Sequence, residues 1–341
     1  MARRRVAIIG LGMAVAPHAK SLLDLTDRVE IVWAFSRSAE RAAAFTKQFA
    51  IPTTTDLAAI VADNSITAAL VLTPPWTHLD LVRMLAGAGK HILLEKPVEA
   101  TTARAIELVE ICRRQGVTLA MMLQHRFRES SLALAERIAT GAIGRIAAAS
   151  VAVRWWRPQS YYDEPGRGSL ARDGGGVLLT QAIHTLDLFL SLAGAVSEVA
   201  AFAGTTPLHR METEDIVGAA LRFANGAIGT LDATTASYPG FPERIEIVGD
   251  KATAVLAGGG LEFFYQDGMR VQVGAATATG GGADPMAFSH EAHRAAIADF
   301  LDAIETRREP RVSGAAALAV HRLIDALLRS AREGRAIQVE A

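Results

Sequence analysis

The sequence of 341 residues has one cysteine and almost no net charge. A lone thiol cannot form an internal disulfide, and Cys112 lies among residues with helical spacing, so we expect a buried structural thiol rather than a nucleophile. Lys and Arg total 35 against 36 Asp and Glu, which gives a net charge of −1. This balance provides no general electrostatic attraction for nucleic acid or for an anionic membrane, so neither is an expected partner.

Long uncharged apolar runs are also missing. No stretch of about 18 apolar residues without a charge occurs, so we expect a soluble, cytoplasmic protein with no membrane span. The chain is too long for one ordinary core and suits two domains, at roughly 100–200 residues each. There is no internal repeat, and no metal site is predicted.

The first twenty residues, "MARRRVAIIGLGMAVAPHAK", allow two interpretations. Arginines followed by an apolar run with an Ala-Val-Ala resemble a secretory signal peptide. The same run carries Gly10-Leu11-Gly12 behind a strand-like "VAIIG", which is how a dinucleotide-binding βα turn begins. Cleavage after Ala-Val-Ala would remove that strand and both glycines from the series of βα units described next. We therefore expect the segment to belong to the mature protein.

Strand-like and helix-like segments alternate up to Gln124, and several of the strands are near-continuous apolar runs. Such runs are typical of parallel strands covered by helices on both faces. The sequence therefore predicts an α/β protein with a doubly wound parallel sheet of the Rossmann type, the NAD(P)-binding domain, over residues 1–124.

Hairpin signals replace this alternation in residues 125–341. Asn225-Gly226 and Gly249-Asp250 lie between strand candidates, which indicates antiparallel pairing. We predict an α+β domain built on a large, mostly antiparallel, open-faced sheet. A flexible loop is expected over 277–284, and two amphipathic helices over about 288–306 and about 313–333.

The glycine pair has a physical purpose, because a tight turn lets a pyrophosphate approach backbone N–H groups at a helix N-terminus. Val15 stands where the third glycine of the fingerprint would fall, which loosens the match, although small alanines flank it. The residues expected to contact the cofactor at this turn are Gly10, Leu11, Gly12, Met13 and Ala14.

The end of the second strand bears on the choice of cofactor. An NAD enzyme usually has a carboxylate there for the ribose 2′-hydroxyl, but this chain has Ser36 and Arg37, with Arg41 one helical turn on. A hydroxyl and guanidinium groups suit a 2′-phosphate, so NADP is favoured and NAD stays possible. The alternative is structural, with Ser36 capping the next helix and Arg37 solvated.

Three motifs, "LTPPWTH" (72–78), "LLEKPVE" (93–99) and "GGGVLLTQAIHTLDL" (174–188), carry a family resemblance. With them the whole chain resembles the Gfo/Idh/MocA oxidoreductases, named for glucose–fructose oxidoreductase and inositol dehydrogenase. The resemblance implies hydride transfer between a nicotinamide and a sugar, sugar derivative or cyclic polyol. It also implies a role for the second domain in substrate binding and oligomerisation.

The resemblance assigns the catalytic role to Lys96, His184 and Thr180. An ammonium at the carboxyl end of a parallel strand can hydrogen-bond the substrate oxygen that gains or loses a proton. Thr180, His184 and Asp187 have a spacing that puts them on one helix face. Inositol dehydrogenase-like members have Asp where this chain has Thr180. A hydroxyl cannot hold charge, so a proton relay would depend mainly on His184 and Lys96.

Other positions are carried over from the family. Further cofactor contacts are expected along the nicotinamide side, from Thr73, Pro74, Pro75, His78, Glu95, Lys96 and Gln124. Pro75 stands where Asn is common, which removes one donor. Substrate contacts are expected from Arg126, Arg157, Tyr161, Arg167, Thr180 and His184. For the segment 154–169 a structural role is equally open, with one of Trp155 and Trp156 in the core.

Four functions remain open at this point. The first is an NAD(P)-dependent sugar dehydrogenase or reductase, and the second a dehydrogenase of cyclic or aromatic diols. The third is a non-catalytic NADP-binding regulator, which Val15, Pro75 and Thr180 would each suit. The fourth is the recycling of a tightly bound cofactor between two sugars, as in glucose–fructose oxidoreductase. Family members often pair through the open sheet face, so a homodimer or homotetramer is expected.

Overall fold

The computed structural model describes residues 3–274 and 289–340, and these divide into two compact units. The first unit holds the chain up to Gln124 together with Ser289–Leu318, and the second holds the chain from His125 and again from Ala319. The sequence prediction placed the domain boundary after Gln124 and assigned all of residues 125–341 to the second domain. Residues 289–318 differ from that prediction, because they group with the first unit. The expected loop over 277–284 lies outside the described residues.

The first unit is built on a six-stranded parallel sheet in the order β3-β2-β1-β4-β5-β6. The strands on the two sides of β1 are connected in opposite directions, which is the doubly wound arrangement. The predicted Rossmann-type sheet is thus confirmed. Its strands are β1 Arg4–Ile9, β2 Val29–Phe35, β3 Thr53–Thr54, β4 Ala68–Val71, β5 His91–Glu95 and β6 Leu119–Met122.

Three helices of this unit begin at residues whose side chains accept from an early backbone N–H group. The side chains of Ser38, Asp56 and Thr101 accept from the backbone N–H three residues on, which ends the preceding loops. Gly116 closes α5 with a φ of 65°. The helices are α1 Val15–Asp24, α2 Ala39–Phe49, α3 Leu57–Ala62, α4 His78–Gly87, α5 Thr102–Gln115 and, later in the chain, α10 Glu291–Thr306.

The second unit contains a nine-stranded sheet in the order β14-β13-β12-β11-β7-β10-β9-β8-β15. All pairs are antiparallel except β7 with β10, so the predicted mostly antiparallel sheet is confirmed. Its strands are β7 Ile146–Arg154, β8 Val196–Gly204, β9 Ile216–Phe223, β10 Ile228–Thr234, β11 Arg244–Gly249, β12 Ala252–Ala257, β13 Gly260–Tyr265, β14 Arg270–Val273 and β15 Ile337–Gln338.

Side chains alternate between buried and exposed along β9 and β10, because one sheet face packs on helices. The remaining helices are α6 Glu129–Ala139, α7 Gln159–Tyr162, α8 Leu170–Asp173, α9 Ile183–Ala193 and α11 Gly314–Glu333, whose first residues belong to the first unit. A π-helical turn, Leu178–Ala182, leads into α9.

Among the described residues one helical stretch, Leu170–Ala193, is long and apolar enough to cross a membrane by length and composition. Its most apolar window is 78% buried inside the protein, as in the core helix of a globular domain. The stretch also contains Arg172, Asp173 and Asp187, in keeping with the absence of a long uncharged run from the sequence.

Candidate functional site

The turn between β1 and α1 requires its first glycine. Gly10 has a φ of 107°, and a Cβ there would lie 2.9 Å from the backbone carbonyl of Leu72. Gly12 is exposed and its space is open, so another group can approach the backbone at this point. Val15 is 7% exposed and its N–H donates to the Gly12 oxygen at 3.2 Å. The departure at the third glycine position therefore puts a buried apolar side chain at the start of α1, and the tight turn is kept.

Ser36 and Arg37 follow β2. The hydroxyl of Ser36 accepts from the N–H of Ser38 at 3.2 Å, whereas Ser38 itself accepts from the N–H of Arg41 and is the N-cap of α2. The alternative in which Ser36 caps that helix is thus wrong. Both Arg37 and Arg41 are exposed at the beginning of α2. Two exposed arginines and a buried serine thus follow the carboxyl end of the second strand within six residues of the chain.

The loop after β4 is tied to the segment after β5 by His78. Its Nε2 lies 2.7 Å from the carbonyl oxygen of Thr73, and its Nδ1 lies 3.1 Å from that of Val98. His78 is fully buried, and burial lowers its pKa, so the neutral ring holds the two segments together. Thr77 adds a hydroxyl contact of 2.7 Å to Thr73. His78 thus stabilises the loop of Thr73, Pro74 and Pro75 from a buried position and does not face solvent.

Glu95 and Lys96 end β5 at the carboxyl edge of the sheet. One carboxylate oxygen of Glu95 lies 2.7 Å from Nε2 of His18, and the other accepts the backbone N–H of Lys96 at 2.9 Å. Burial by itself raises the pKa of Glu95, but the hydrogen bond and charge of His18 outweigh it and bring the pKa to about 2. The Lys96–Pro97 peptide is cis. An ionised carboxylate thus fixes the backbone of Lys96.

His18 was missed by the sequence analysis, as was His293, whose ring packs edge-on against His18 at 5.2 Å. Ligand atoms of these histidines and of Glu95 lie within 4.8 Å of one another, a spacing that a metal ion could use. The direct hydrogen bond between His18 and Glu95 accounts for that pair without an ion. Neither histidine lies in a recognisable motif, so the sequence carried no signal for this contact.

Gln124 is the last residue of the first of the two segments that form the first unit, and it is 8% exposed. Its side-chain oxygen is buried and has no hydrogen-bond partner within the described parts of the chain. A buried acceptor without a partner is costly, so it is a point where a bound ligand could donate a hydrogen bond. This observation and the open space at Gly12 both fit a bound dinucleotide.

In the second unit, the π turn and α9 carry Thr180, His184 and Asp187. The Thr180 hydroxyl lies 2.7 Å from the carbonyl oxygen of Gly176 and also contacts the Gln181 amide oxygen. Thr180 is therefore bonded back to its own helix. A π turn inserts an extra residue into the helix, so the regular helical spacing assumed from the sequence does not hold across Thr180.

Asp187 is 1% exposed and forms two hydrogen bonds with Arg126. Burial raises the pKa of Asp187, and the charge of Arg126 opposes that rise. The side chain of Arg126 is thus held in a buried ion pair with Asp187. Asp187 lies on α9, three residues after His184. The sequence predicts that Arg126 contacts the substrate. In the structure Arg126 also forms the ion pair with Asp187.

Glu214 is a functional candidate that sequence reasoning missed. Its two carboxylate oxygens accept the backbone N–H groups of Gly176 and Leu178, at 3.1 and 3.3 Å, where the π turn begins. A side chain at Gly176 would overlap Glu214, so glycine is required there. Burial raises the pKa of Glu214. In the sequence, Glu214 is part of the acidic segment "METED" (211–215) directly before β9, and this segment gives no indication of the contact with Gly176.

The segment 154–169 is brought together around Tyr161. The guanidinium of Arg167 lies 4.3 Å from the Tyr161 ring centre and its Nη1 donates to the hydroxyl at 2.9 Å, while Arg157 lies 5.7 Å from the same ring. Arg157 is only 2% exposed, and burial lowers its pKa. Trp155 is also buried, so of the two tryptophans it is the one in the core. Three of the predicted substrate residues, Arg157, Tyr161 and Arg167, thus form one cluster in which Arg157 is buried and the other two are half-buried.

Cys112 is buried in α5, and burial raises its pKa to about 12. At neutral pH the side chain is therefore a thiol and not a nucleophilic thiolate. This agrees with the structural role expected from the sequence.

Comparison with known families identifies both halves of the chain. Residues 4–123 match the model of the oxidoreductase family with an NAD-binding Rossmann fold. Residues 131–255 match the model of the GFO/IDH/MocA C-terminal domain. The chain belongs to the Gfo/Idh/MocA family. It is therefore a member of an oxidoreductase family with an NAD(P)-binding Rossmann domain, as the sequence motifs implied.

Several characterised members of this family are similar along most of their length. A D-apiose dehydrogenase of Paraburkholderia graminis is 28% identical, with 99% of this chain and 90% of that protein covered. An inositol 2-dehydrogenase of Rhizobium meliloti is 27% identical, with 98% and 99% covered. Among solved structures, the WlbA dehydrogenase of Bordetella pertussis in complex with NADH and UDP-GlcNAcA is 27% identical, with a TM-score of 0.84 and both chains fully covered.

Proposed function

We propose that this chain is an NADP-preferring dehydrogenase or reductase of sugars, sugar derivatives or cyclic polyols. The single observation that carries the proposal is the position of Lys96. It follows β5 at the carboxyl edge of a doubly wound sheet, where such sheets bind ligands, and its backbone is fixed by Glu95. The related D-apiose, inositol and WlbA dehydrogenases support the substrate class.

The cofactor would be held by residues of the first unit. The turn Gly10–Ala14 would receive the pyrophosphate, with Thr73, Pro74, Pro75, Glu95, Lys96 and Gln124 toward the nicotinamide side. When bound, the nicotinamide would supply or accept the hydride. Ser36, Arg37 and Arg41 favour a 2′-phosphate, because guanidinium groups pair with phosphate. The residues that directly follow β2 are Ser36 and Arg37, so a carboxylate that would repel the phosphate does not occupy these positions.

Lys96 and His184 would handle the proton of the substrate hydroxyl. A lysine ammonium can hydrogen-bond the reacting oxygen and stabilise negative charge on it, and an imidazole can take up or return a proton near neutral pH. Thr180 would contribute at most a hydrogen bond to substrate, because its hydroxyl is bonded back to Gly176. Arg126, Arg157, Tyr161 and Arg167 would line or support the binding pocket for the hydroxylated or carboxylated ligand.

The test is a substrate panel of aldoses, polyols, uronates and cyclic or aromatic diols, with NADP and NAD, followed by the change in absorbance at 340 nm. We expect turnover of at least one sugar or polyol and a higher kcat/KM with NADP. A clear preference for NAD would overturn the cofactor proposal, and activity confined to diols would favour the second function. Tight cofactor binding without any turnover would favour a regulator.

The role of Lys96 has its own test. We expect Lys96→Ala to abolish turnover nearly completely while cofactor binding persists, because the tight turn at Gly10 is set by its close approach to Leu72. Cofactor binding measured by fluorescence quenching is the control for an intact fold. Retained turnover in this variant would remove Lys96 from the mechanism.

We also propose a cytoplasmic homodimer or homotetramer that pairs through the open face of the second sheet. Phe202 on β8, Ile216 on β9 and Ile228 on β10 are 85%, 39% and 49% exposed, which is unusual for large apolar side chains on a sheet. Size-exclusion chromatography with light scattering should give a dimer or tetramer. Phe202→Glu should shift it toward monomer, and a monomeric wild type would refute the proposal.

A further inference from the structure

Two imidazole rings, those of His125 and His184, lie side by side in the second unit. Their centres are 5.1 Å apart and their planes are inclined by 30°. Histidine titrates near neutral pH, so two neighbouring rings would ordinarily compete for a proton, because charging one makes it harder to charge the other. The chemistry of His184 therefore depends on the protonation state of its neighbour.

Arg128 determines which nitrogen of His125 can carry a proton. Its Nη2 lies 2.6 Å from Nε2 of His125. A guanidinium has donors and no acceptor, and it keeps its charge throughout the working pH range. Nε2 must therefore present its lone pair, and the proton of the ring lies on Nδ1. Charging His125 would first require this contact to break.

Glu243 holds Arg128 in place. The other terminal nitrogen of Arg128, Nη1, lies 2.6 Å from a carboxylate oxygen of Glu243, and this carboxylate side chain is only 7% exposed. His125 itself is 3% exposed. The contact is formed by residues far apart in the sequence but close in the fold, and solvent has little access to it. Such a buried, charge-assisted contact is geometrically well defined.

A second ion pair is formed by residues next to the two histidines in the chain. Arg126, the neighbour of His125, is paired with Asp187, which follows His184 by three residues on α9. Ser131 and Thr185, which line the same small cavity as His125, Arg128 and Glu243, carry no charge. Two ion pairs, Arg126 with Asp187 and Arg128 with Glu243, thus lie at or next to the residues that carry the two rings.

We propose that Arg128, held by Glu243, keeps His125 in its neutral Nδ1–H form, so that His125 is a positioning residue which packs against His184 without competing for its proton. His184 is then the titrating member of the pair. The assignment of a proton-handling role to His184 rests on the proposed function. The protonation state of His125 rests on the contact with Arg128 and does not depend on it.

Nuclear magnetic resonance of histidine-labelled full-length protein tests the state of His125 directly. His125→Phe assigns its signal by loss. In the wild type we expect the His125 signal to show the Nδ1–H form and not to titrate between about pH 5.5 and 8.5. In Arg128→Gln it should titrate, and Arg128→Lys, which restores a charged donor, should suppress the titration. Arg154→Gln, which removes an exposed ion pair with Asp232, is the matched control and should change nothing.

The pH profile of kcat/KM tests the consequence for His184. Arg128→Gln is compared with the double variant Arg128→Gln/His125→Phe, in which the ring stays but cannot take up a proton. A second cation about 5 Å from His184 should place the acidic limb of the single variant lower in pH, by about 0.5–2, than that of the double variant. If the acidic limb does not belong to His184, the two limbs will coincide.

The outcomes separate the two hypotheses. Titration of His125 in the wild type, or its failure to titrate in a folded Arg128→Gln protein, overturns the inference. If Arg128→Gln does not fold, the wild-type titration still decides. Spectra as expected with coincident acidic limbs would uphold the state of His125 and would count instead against His184 as the proton carrier.

Discussion

The carboxylate of Glu95 offers a quantitative prediction for stability. Its oxygens are divided between His18 and the backbone N–H of Lys96, and its pKa is lowered from 4.5 to about 2. Each pKa unit corresponds to about 1.4 kcal/mol, so the ionised form stabilises the folded state by about 3 kcal/mol. In Glu95→Gln one of the two donors would face an amide NH₂ group, so we expect a loss of about that size at pH 7.

The pH dependence has a definite sign. The pKa is lower in the folded protein, so the stabilisation is complete above about pH 4.5 and is lost as the pH falls toward 2. The difference in the free energy of unfolding between wild type and Glu95→Gln should therefore be largest at neutral pH and shrink in acid. Urea unfolding at pH 7, 5 and 3, followed by circular dichroism, measures it.

Glu110→Gln is the matched control, because Glu110 pairs with Arg113 on the surface of α5 with a similar distance of 2.7 Å. Exposed ion pairs contribute about 0–1 kcal/mol, so this variant should unfold almost as the wild type does. The reasoning fails if Glu95→Gln loses no more stability than Glu110→Gln. It also fails if the loss at pH 7 persists unchanged at pH 3.

Three further predictions follow from single sites. Gly10→Ala should lower the free energy of unfolding by about 2 kcal/mol or more and abolish nucleotide binding, because a Cβ there meets Leu72. Gly12→Ala should keep the fold, because the space around Gly12 is open. Thermal unfolding and cofactor titration measure both effects. Cys112 should not react with a thiol reagent at pH 8 until the protein is unfolded. Asp187→Asn should cost about 3–5 kcal/mol in urea unfolding, against about 0–1 for Asp232→Asn on the exposed pair with Arg154. A loss in Asp187→Asn no larger than this control would contradict the buried pair.

Most strands of the parallel sheet, which positions the turn at Gly10 and Lys96, were predictable because they are apolar. β1, β4, β5 and β6 are buried over most of their length, and their apolar sequences indicate this directly. β3 and β15 have two residues each, too few for any periodicity to be visible. Helix α10 was predicted, but its unit was not. An amphipathic pattern shows that one face is buried and does not show against which sheet.

The same distinction applies to the site. Lys96 and His184 lie in motifs that the family resemblance makes recognisable, so they could be named from the sequence. The residues that contact the neighbours of Lys96 and His184 could not be named from the sequence, because their partners lie far away along the chain. Arg128 and Glu243 are 115 positions apart, and His18 and Glu95 are 77 apart. Neither spacing has a local signature, so only the folded chain shows that these contacts exist.

The carboxylates near the candidate proton-handling residues are already occupied, and this limits the mechanism. Glu95 has a pKa of about 2 and both of its oxygens accept hydrogen bonds, so it is a poor base at neutral pH. Both oxygens of Asp187 are bound by Arg126. The position that is Asp in inositol dehydrogenase-like members is Thr180 here, whose hydroxyl is bonded back to its helix. If the proposed reaction takes place, its acid–base chemistry therefore falls to a lysine and a histidine, and its pH profile should report nitrogen groups rather than a carboxylate.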